Sequence, residues 1–405
     1  MARRIERRYA SERRFRLMGL GAVLLSMGFL VFLLVTMIGN GALGFTRTEV
    51  TVPIDFAASD VFLSPEQLNG STAARALAAV DLEGAVAAAA RATYGGAADT
   101  LLSPNAWTIV RDRLLAEPEL LTGRHDYHLP AAPALDAAAK GGTEDPALQT
   151  TLADLQGKGL LTTGFNKSFF TEAAGTDPAT VGIWGALAGS LLTMAITLVI
   201  AVPIGILAAV YLEEFAPRTR WTDLIEVSIN NLAAIPSIIF GLLGLAVFLA
   251  FFGLPRAAPI VAGLTLALMT MPVIVIAARN AIKTVPPSIR DAALGVGASP
   301  LQVVFHHVVP LALPGILTGA IIGMSRALGE TAPLLLIGMR AFIAEAPSGV
   351  SDKATVLPVQ IFLWSDEVSR GFVEKTSAAI IVLLVVLLSM NAVAIWLRNR
   401  FETRW

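Results

Sequence analysis

Six long apolar runs constrain this chain more than any other feature of its sequence. A helix needs about 20 consecutive apolar residues to cross the hydrocarbon layer of a bilayer, and it satisfies its own backbone hydrogen bonds there. The runs therefore predict an all-α polytopic membrane protein with six transmembrane helices and both chain ends on the same side. They cover residues 17–38, 181–212, 227–252, 259–278, 311–339 and 377–397.

Composition supports the membrane class. Of the 405 residues, 55% are hydrophobic and only 15% are charged, whereas soluble chains carry about 25% charged residues. The first 16 residues contain seven arginines. A signal peptide also begins with basic residues, but the run that follows has 22 residues and no small-x-small cleavage pattern closes it. We interpret 17–38 as a retained transmembrane helix after a basic cytoplasmic tail, 1–16.

Basic residues in the short connections predict the orientation, because cytoplasmic loops are enriched in Lys and Arg. Both termini and the connection 279–310 are therefore expected in the cytoplasm, with a second short tail at 401–405. Beyond the N-terminal tail, the basic residues on this side are Arg218, Arg220, Arg279, Lys283, Arg290, Arg398, Arg400 and Arg404.

Residues 39–180 differ in character from the rest of the chain. They hold 9 Lys+Arg against 17 Asp+Glu, a net charge of −8, while the remainder carries +7. The alternating segment TEVTVPIDF predicts a strand, and the alanine-rich stretch 71–97 predicts a helix. We predict an extracytoplasmic α+β domain inserted between the first and second membrane helices. A disordered linker is the alternative.

Signatures of catalysis are missing from the sequence. It has no cysteine, phosphate-binding loop, zinc-ligand spacing or hydrolase elbow. His125 and His128 have the spacing of a ligand pair, but two histidines without a further ligand are more often loop residues. We therefore expect no enzyme activity and no metal site. Nucleic-acid binding is also not expected, because the basic residues flank apolar runs instead of lining one polar face.

Two charges inside one apolar run are the most unusual feature of the chain. Arg326 and Glu330 lie four residues apart, so on a helix they share a face and can pair. An ionisable group at the bilayer centre costs about 2.5–3.5 kcal/mol, and such groups usually face a polar pathway. A pair that only fixes helix packing is the alternative, but Gly315, Gly319 and Gly323 already form a ridge for close helix contact.

An arginine on such a pathway suits an anionic substrate. Its guanidinium presents a rigid fork of donors that matches phosphate or carboxylate oxygens. Glu330 would hold this fork and temper its charge, so that the anion is released again. Pro333 follows Glu330 by about one turn and is expected to disturb the helix near the same depth.

The connection 279–314 is too long and too well patterned for a simple turn. Two prolines precede SIRDAAL, a glycine-rich break follows, and the amphipathic LQVVFHHVV comes next. This pattern predicts a pair of helices at the membrane face, available to a soluble partner. A passive interfacial helix is the alternative.

This connection resembles the EAA motif of ABC-importer permeases, in which Glu-Ala-Ala is followed by a glycine and then by Ile-x-Leu-Pro. Asp291 replaces the glutamate and His307 replaces the isoleucine. The resemblance implies a coupling helix that docks on an ATPase subunit. The matching positions are Asp291, Ala292, Ala293, Gly297, His307 and Pro310.

Two further segments, SRALGETAPLLL (325–336) and IPSIIFGLLGL (235–245), are similar to phosphate-importer permeases of the A type, PstA. The resemblance covers 181–400 and implies the type I ABC importer permease fold, with the coupling loop at 279–310. The pathway residues that it implies are Arg326, Glu330 and Thr331.

The same resemblance implies the partners of the chain. They are a C-type permease subunit, two cytoplasmic ATP-binding subunits, a periplasmic phosphate-binding protein and the lipid bilayer of a bacterial inner membrane. ATP and Mg would bind the ATPase subunits, so no cofactor is expected in this chain. The alternatives are a permease for sulfate or molybdate, a membrane-anchored sensor that uses the outer domain, and a secondary transporter.

Overall fold

A computed structural model describes residues 2–401 except 60, 69, 71–72, 143–144, 174, 176, 340–342 and 344. Residues 402–405 of the predicted tail 401–405 lie outside the described part. Among the described residues, five helices are long and apolar enough to cross a membrane, and a bent helix pair is a sixth candidate. The predicted class of a multi-pass helical membrane protein is confirmed.

The first helix, α1, extends from Ala2 to Gly44 and includes the predicted run 17–38. None of its most apolar stretch is buried within this chain. It packs mainly along the last helix of the chain. There Gly44 approaches the backbone of Glu374 so closely that a Cβ would overlap the carbonyl oxygen, which is why glycine suits this position.

A three-stranded antiparallel sheet follows α1 in the order β2-β1-β3. Its strands are β1 Thr46–Asp55, β2 Arg124–Pro130 and β3 Leu161–Phe165. Side chains of β1 alternate between buried and partly exposed positions, as expected for a strand with one face on a core. Thr46, the first residue of β1, pairs with Phe165, the last residue of β3.

Short helices pack on this sheet to complete the inserted domain, called the insert below. The single helix predicted over 71–97 is wrong, because the chain breaks before Asp81, whose side chain caps a second helix by accepting the Gly84 N–H (2.8 Å). The insert helices are α2 Ala73–Ala78, α3 Leu82–Tyr94, α4 Ala98–Leu101, α5 Ala106–Ala116, α6 Pro133–Ala139, α7 Pro146–Gly157 and α8 Ser168–Thr171.

The remaining helices form the membrane bundle. π-Helical segments at Tyr211–Phe215, Leu245–Phe251 and Val304–Val308 extend or join them. The bundle helices are α9 Trp184–Val210, α10 Arg220–Ala233, α11 Ser237–Gly244, α12 Pro259–Lys283, α13 Pro287–Gly295, α14 Pro300–Val303, α15 Val309–Gly329, α16 Ala332–Leu336, α17 Leu357–Ser365 and α18 Arg370–Phe401.

Helix α12 lies at the centre of the bundle, between α9 and α15. In its most apolar stretch, 61% of the residues are buried, the largest share among the candidate spans. Three glycines of α15 face α12 so closely that an added Cβ would fall within 2.8 Å of an α12 side chain or overlap it. The facing pairs are Gly315 with Ala281, Gly319 with Ala277, and Gly323 with Thr270.

The prediction of one continuous span over 227–252 is wrong. The chain forms two helices there, α10 and α11 with its π-helical extension, which meet at 101°. Pro236 lies in the break. It has no N–H to donate, and its ring disfavours helical geometry for the preceding residue.

Helix directions divide the bundle into two ends. At the insert end, α1 finishes and α9 and α18 begin; Lys375 of α18 donates a hydrogen bond to the Gly44 carbonyl (2.8 Å). At the loop end, α9 and α12 finish beside α13, and Arg290 of α13 pairs with Glu214 (2.7 Å). The predicted coupling loop and the insert therefore lie at opposite ends.

Candidate functional site

Arg326 lies in the last turn of α15, and Glu330 directly follows the helix. The Arg326 Nε is 3.5 Å from Glu330 Oε1. The Arg326 side chain is 45% exposed, whereas that of Glu330 is 18% exposed. Within the described part of the chain the guanidinium has no other hydrogen-bond partner, so its remaining N–H donors are available to a ligand.

Packing contacts place this pair within the apolar part of the bundle. The Ser325 hydroxyl donates to Oδ1 of Asn391 in α18 (2.7 Å). Asn391 lies roughly 20 Å along α18 from position 377, where the apolar run begins, at 1.5 Å per residue. Ala327 and Leu328 are buried in a cluster with residues of α9 and α12. The guanidinium thus belongs to a membrane-embedded segment.

The helix that carries Arg326 stops earlier than predicted. Both charges were expected on one helix, but Glu330 has an extended backbone (φ −74°, ψ 129°). The half-buried Thr331 then precedes the short helix α16. Pro333 lies in the first turn of α16, where its missing N–H needs no partner. The interruption expected from Pro333 is therefore observed at 330–331, next to the ion pair.

Helix α16 is held against α11. A Cβ added to Gly241 of α11 would lie 2.6 Å from the Pro333 Cα. The segment IPSIIFGLLGL and the segment SRALGETAPLLL, which the sequence resemblance treats separately, are thus in contact. This packing stabilises the non-helical backbone at Glu330.

The second predicted site lies at the loop end, in α13, α14 and the turn between them. Asp291 and Ala292 are exposed on α13, whereas Ala293 is buried. Gly297 in the turn has φ +92°, a conformation that favours glycine. Its neighbour Val296 is 87% exposed. This surface combines a carboxylate with uncovered apolar side chains.

His307 and Pro310 lie where the π-helical segment enters α15. Both line a cleft of about 730 Å³ together with Pro286 and with Ile289 of α13. His307 is exposed. The structure thus brings the two halves of the predicted motif into one region, whereas Arg326 and Glu330 are not part of it.

A network of six charged side chains anchors this region, and the sequence analysis missed it. We call it the loop-end ion network: Glu213, Glu214, Glu226, Arg279, Lys283 and Arg290. Arg279 is 7% exposed and pairs with Glu213 and with Glu226 of α10 (2.7 Å). The sequence signal for this network is the pair Glu213-Glu214 directly after an apolar run. The basic residues that meet these glutamates also predict the orientation, which hides their second role.

Arg290 is the residue of the loop-end ion network that lies in the predicted coupling segment, on α13. Its Nη2 lies 2.7 Å from Glu214 Oε1. It also donates to the backbone carbonyls of Val285 (2.7 Å) and Ile282 (3.2 Å) at the end of α12. Lys283 makes a weaker pair with Glu213 (3.4 Å). One guanidinium thus ties α13 to α12 and to the end of α9.

The histidines of the insert lie apart from these sites. His128 Nδ1 is 3.1 Å from the Thr51 hydroxyl, and His125 Nε2 is 2.9 Å from the Thr122 carbonyl. Among the residues that the structure describes, no group of three or more His, Asp or Glu side chains is arranged to hold a metal ion.

Comparison with known proteins assigns the membrane bundle to a protein family. The family model of a binding-protein-dependent transport system inner membrane component matches residues 201–405, just over half of the chain. This chain belongs to that family. A second model, a domain of unknown function (DUF3333), matches residues 2–148, which include α1 and most of the insert.

Individual relatives of the permease agree with this assignment. This chain is 31% identical over 245 residues to a probable ABC transporter permease, YqgI, of Bacillus subtilis. The match covers 56% of this chain and 82% of the relative. This chain is also 30% identical over 218 residues to the phosphate transport system permease protein PstA 1 of Mycobacterium tuberculosis, covering 54% and 70%. The permease is therefore of the PstA type, a multi-pass inner-membrane component of an ABC importer.

Two solved transporters also match part of this chain. An inward-facing methionine ABC transporter, MetNI, has 19% identity and a TM-score of 0.42, covering 55% of this chain and 95% of the other. A bacterial alginate ABC transporter in complex with an alginate-bound periplasmic protein has 16% identity and a TM-score of 0.43, covering 72% and 96%.

Proposed function

We propose that this permease is the A-type subunit of a phosphate importer and that Arg326, Glu330 and Thr331 contribute to the phosphate pathway. The observation that carries the proposal is the Arg326–Glu330 pair, 3.5 Å apart, with a half-exposed guanidinium on a membrane-embedded helix. A relative named as a phosphate transport system permease, PstA 1 of Mycobacterium tuberculosis, supports the choice of substrate.

The pair suits phosphate better than sulfate. Arg326 supplies donors to the anionic oxygens, and an ionised Glu330 supplies acceptors only. Phosphate near neutral pH keeps at least one O–H that can donate to this carboxylate. Sulfate has no proton to donate, so the same carboxylate repels it. The Arg–Glu pair therefore favours phosphate, which can both accept and donate hydrogen bonds, over sulfate, which can only accept them.

The partners follow from the same proposal. A C-type permease subunit would cover the exposed side of Arg326, so that the pathway runs between the two subunits, and a periplasmic binding protein would deliver phosphate at the insert end. Two ATP-binding subunits would dock on α13 and the Gly297 turn and would hold ATP and Mg, leaving this chain without a cofactor. This arrangement puts the N-terminus, the C-terminus and the loop end in the cytoplasm.

Coupling would use the loop-end ion network. Movement of α13 by the ATPase subunits would pull on Arg290, which is bonded to Glu214 and to the end of α12. Since α12 packs along α15 through the glycine ridge, the displacement would reach the segment that carries Arg326. Access to the pathway would then change with the nucleotide state of the partners.

The test is uptake of labelled phosphate by the assembled importer in proteoliposomes. We expect Arg326→Gln to lower uptake by about 10- to 100-fold, because hydrogen bonds to a charged group contribute about 1.5–3 kcal/mol. Arg218→Gln, at an exposed arginine in a short connection, is the matched control and should transport normally. Normal transport by Arg326→Gln, or loss of subunit assembly in that variant, would contradict the pathway role.

Competition by sulfate tests the choice of anion. We expect excess sulfate to leave phosphate uptake by the wild-type importer unchanged, and Glu330→Gln to increase inhibition by sulfate, because the repelling charge is removed. If sulfate or molybdate competes equally with phosphate in the wild type, the alternative of a permease for another oxyanion is correct.

A further inference from the structure

Three phenylalanine rings form a row at the insert end of the bundle. The rings of Phe45 and Phe170 stack with their centroids 5.8 Å apart, and those of Phe170 and Phe165 are also 5.8 Å apart. Phe165 is 64% exposed and Phe170 is 37% exposed. The neighbouring Phe169 is fully buried. The row therefore presents an apolar surface that the described residues of this chain do not cover.

The membrane helices that precede and follow the insert fix the depth of this row relative to the bilayer. Phe45 directly follows α1, and its carbonyl accepts a hydrogen bond from the Asn166 N–H (2.8 Å). Ile183 directly precedes α9, and its N–H donates to the Phe169 carbonyl (2.7 Å). Residues 165–170 are thus held between the points where one membrane helix leaves the bundle and another enters it.

Contacts with helix α18 independently indicate the same depth for this row. Gly44, the last residue of α1, contacts Glu374 and Ala378. These two residues flank position 377, where the apolar run of α18 begins. The change from charged to apolar residues on α18 marks the edge of the hydrocarbon layer. The phenylalanine row therefore starts at this edge.

We propose that the row Phe45, Phe170 and Phe165 docks in the interfacial layer of the lipid bilayer and holds the insert against the membrane. Its rings would lie among the upper acyl chains, continuous with the exposed apolar surface of α1. The exposed Lys167 lies between Phe165 and Phe170 in the chain, where an ammonium group can reach lipid phosphates. Aromatic rings combined with basic side chains are typical of segments that lie in the interface.

The charge of the insert supports this orientation. Residues 39–180 carry a net −8, so most of the insert surface is repelled by anionic headgroups. Lys167 and the uncharged rings add no negative charge at the membrane edge. β1 starts at Thr46, beside the membrane edge, and is roughly 30 Å long at about 3.3 Å per residue, which is enough to carry the acidic remainder of the insert away from the headgroups. The remainder of the insert therefore projects from the bilayer.

Lipid contact can be measured directly, because the chain contains no cysteine and a single introduced cysteine labels one position. We choose Phe165→Cys, with Phe62→Cys as the matched control, since Phe62 is an exposed phenylalanine (85%) beyond the far end of β1. Each variant is labelled with an environment-sensitive fluorophore in the assembled importer in nanodiscs. The probe is a lipid that carries a nitroxide quencher on the headgroup or on the upper or lower acyl chain.

We expect loss of emission at position 165, strongest with the upper-chain quencher, and no loss at position 62. Phe170→Cys should show the same depth and guards against a local artefact of the first label. Equal emission at position 165 with and without quencher would overturn the proposal. So would a photocrosslink from position 165 to the partner permease or to the binding protein, because the row would then be a protein contact.

Discussion

At the scale of single residues, the buried charges Arg279 and Lys375 differ from the half-exposed Arg326 in how closely the described residues surround them. Arg279 is held by Glu213 and Glu226. Lys375 is 4% exposed, donates to a backbone carbonyl and lies over the Phe169 ring, 5.2 Å from its centroid. Arg326 has one long contact and half of its surface uncovered. This contrast supports the proposal that Arg326 binds a ligand whereas Arg279 and Lys375 are structural, a distinction that the sequence alone does not make.

Close packing of α15 on α12 gives a prediction for one glycine. We expect Gly319→Ala to destabilise the bundle by about 1–3 kcal/mol, because the added Cβ overlaps Ala277 and overpacking has this cost. Gly28→Ala, in α1, is the matched control, since its Cβ would meet nothing within 4 Å. Thermal unfolding of the purified variants measures the difference. Equal midpoints for both variants would show that the glycine ridge is not required for packing.

At the scale of helices and loops, sequence periodicity predicted elements better than their ends or contacts. The strand at 48–56 and the helical coupling segment follow from local pattern, because each is specified by neighbouring residues. The end of α15 before Glu330 depends on contact between Pro333 and Gly241, which are far apart in the chain. The break at Pro236 had a local signal, the proline itself, that the apolar run concealed.

The loop-end ion network requires its own test, since no motif predicted it. We expect Glu214→Gln and Arg290→Met each to reduce the amount of phosphate transported per ATP hydrolysed, because each removes the ion pair that holds α13 to the end of α9. The double variant should be no worse than Arg290→Met alone, because that variant already lacks the shared ion pair as well as the bonds of Arg290 to the end of α12. Lys283→Met is the control, as its pair with Glu213 is longer (3.4 Å) and its side chain is 53% exposed. Additive losses in the double variant would argue against a shared contact.

The turn after α13 allows a test of whether its backbone conformation, and not a side-chain contact, matters for coupling. Gly297 has φ +92° and no atom within 4 Å of an added Cβ, so Gly297→Ala acts through backbone strain of about 1–3 kcal/mol. We expect the variant to assemble but to lose transport-linked ATPase stimulation, because the α13–α14 turn changes shape. Gly295→Ala, in helical geometry with open space, should behave as wild type. Stimulation that is normal in both variants would remove the turn from the coupling surface.

At the scale of the whole molecule, the insert and the bundle share buried contacts. Lys140, which directly follows α6, is bonded to Asp136 (2.7 Å), to the Thr46 carbonyl (3.0 Å) and to Glu374 of α18 (3.1 Å). Within the insert, Ser103 donates a hydrogen bond to the buried Asp177, in the segment that leads into α9. Composition indicated a separate acidic domain. It could not show this connection, because Lys140 and Glu374 lie 234 positions apart.

This junction predicts that the insert and α18 unfold together. We expect Lys140→Met to destabilise the protein by about 3–5 kcal/mol, because Asp136 and Glu374 lose the cation that pairs with both of them in a largely buried site. Lys158→Met is a close control: Lys158 also pairs with an aspartate four residues earlier at 2.7 Å, but both side chains are about 60% exposed, and such pairs contribute only about 0.3–0.5 kcal/mol. Thermal unfolding followed by tryptophan fluorescence compares the two. Similar midpoints would mean that the Lys140 ion pairs do not hold the insert to α18, whereas a large loss confined to Lys140→Met would show that they do.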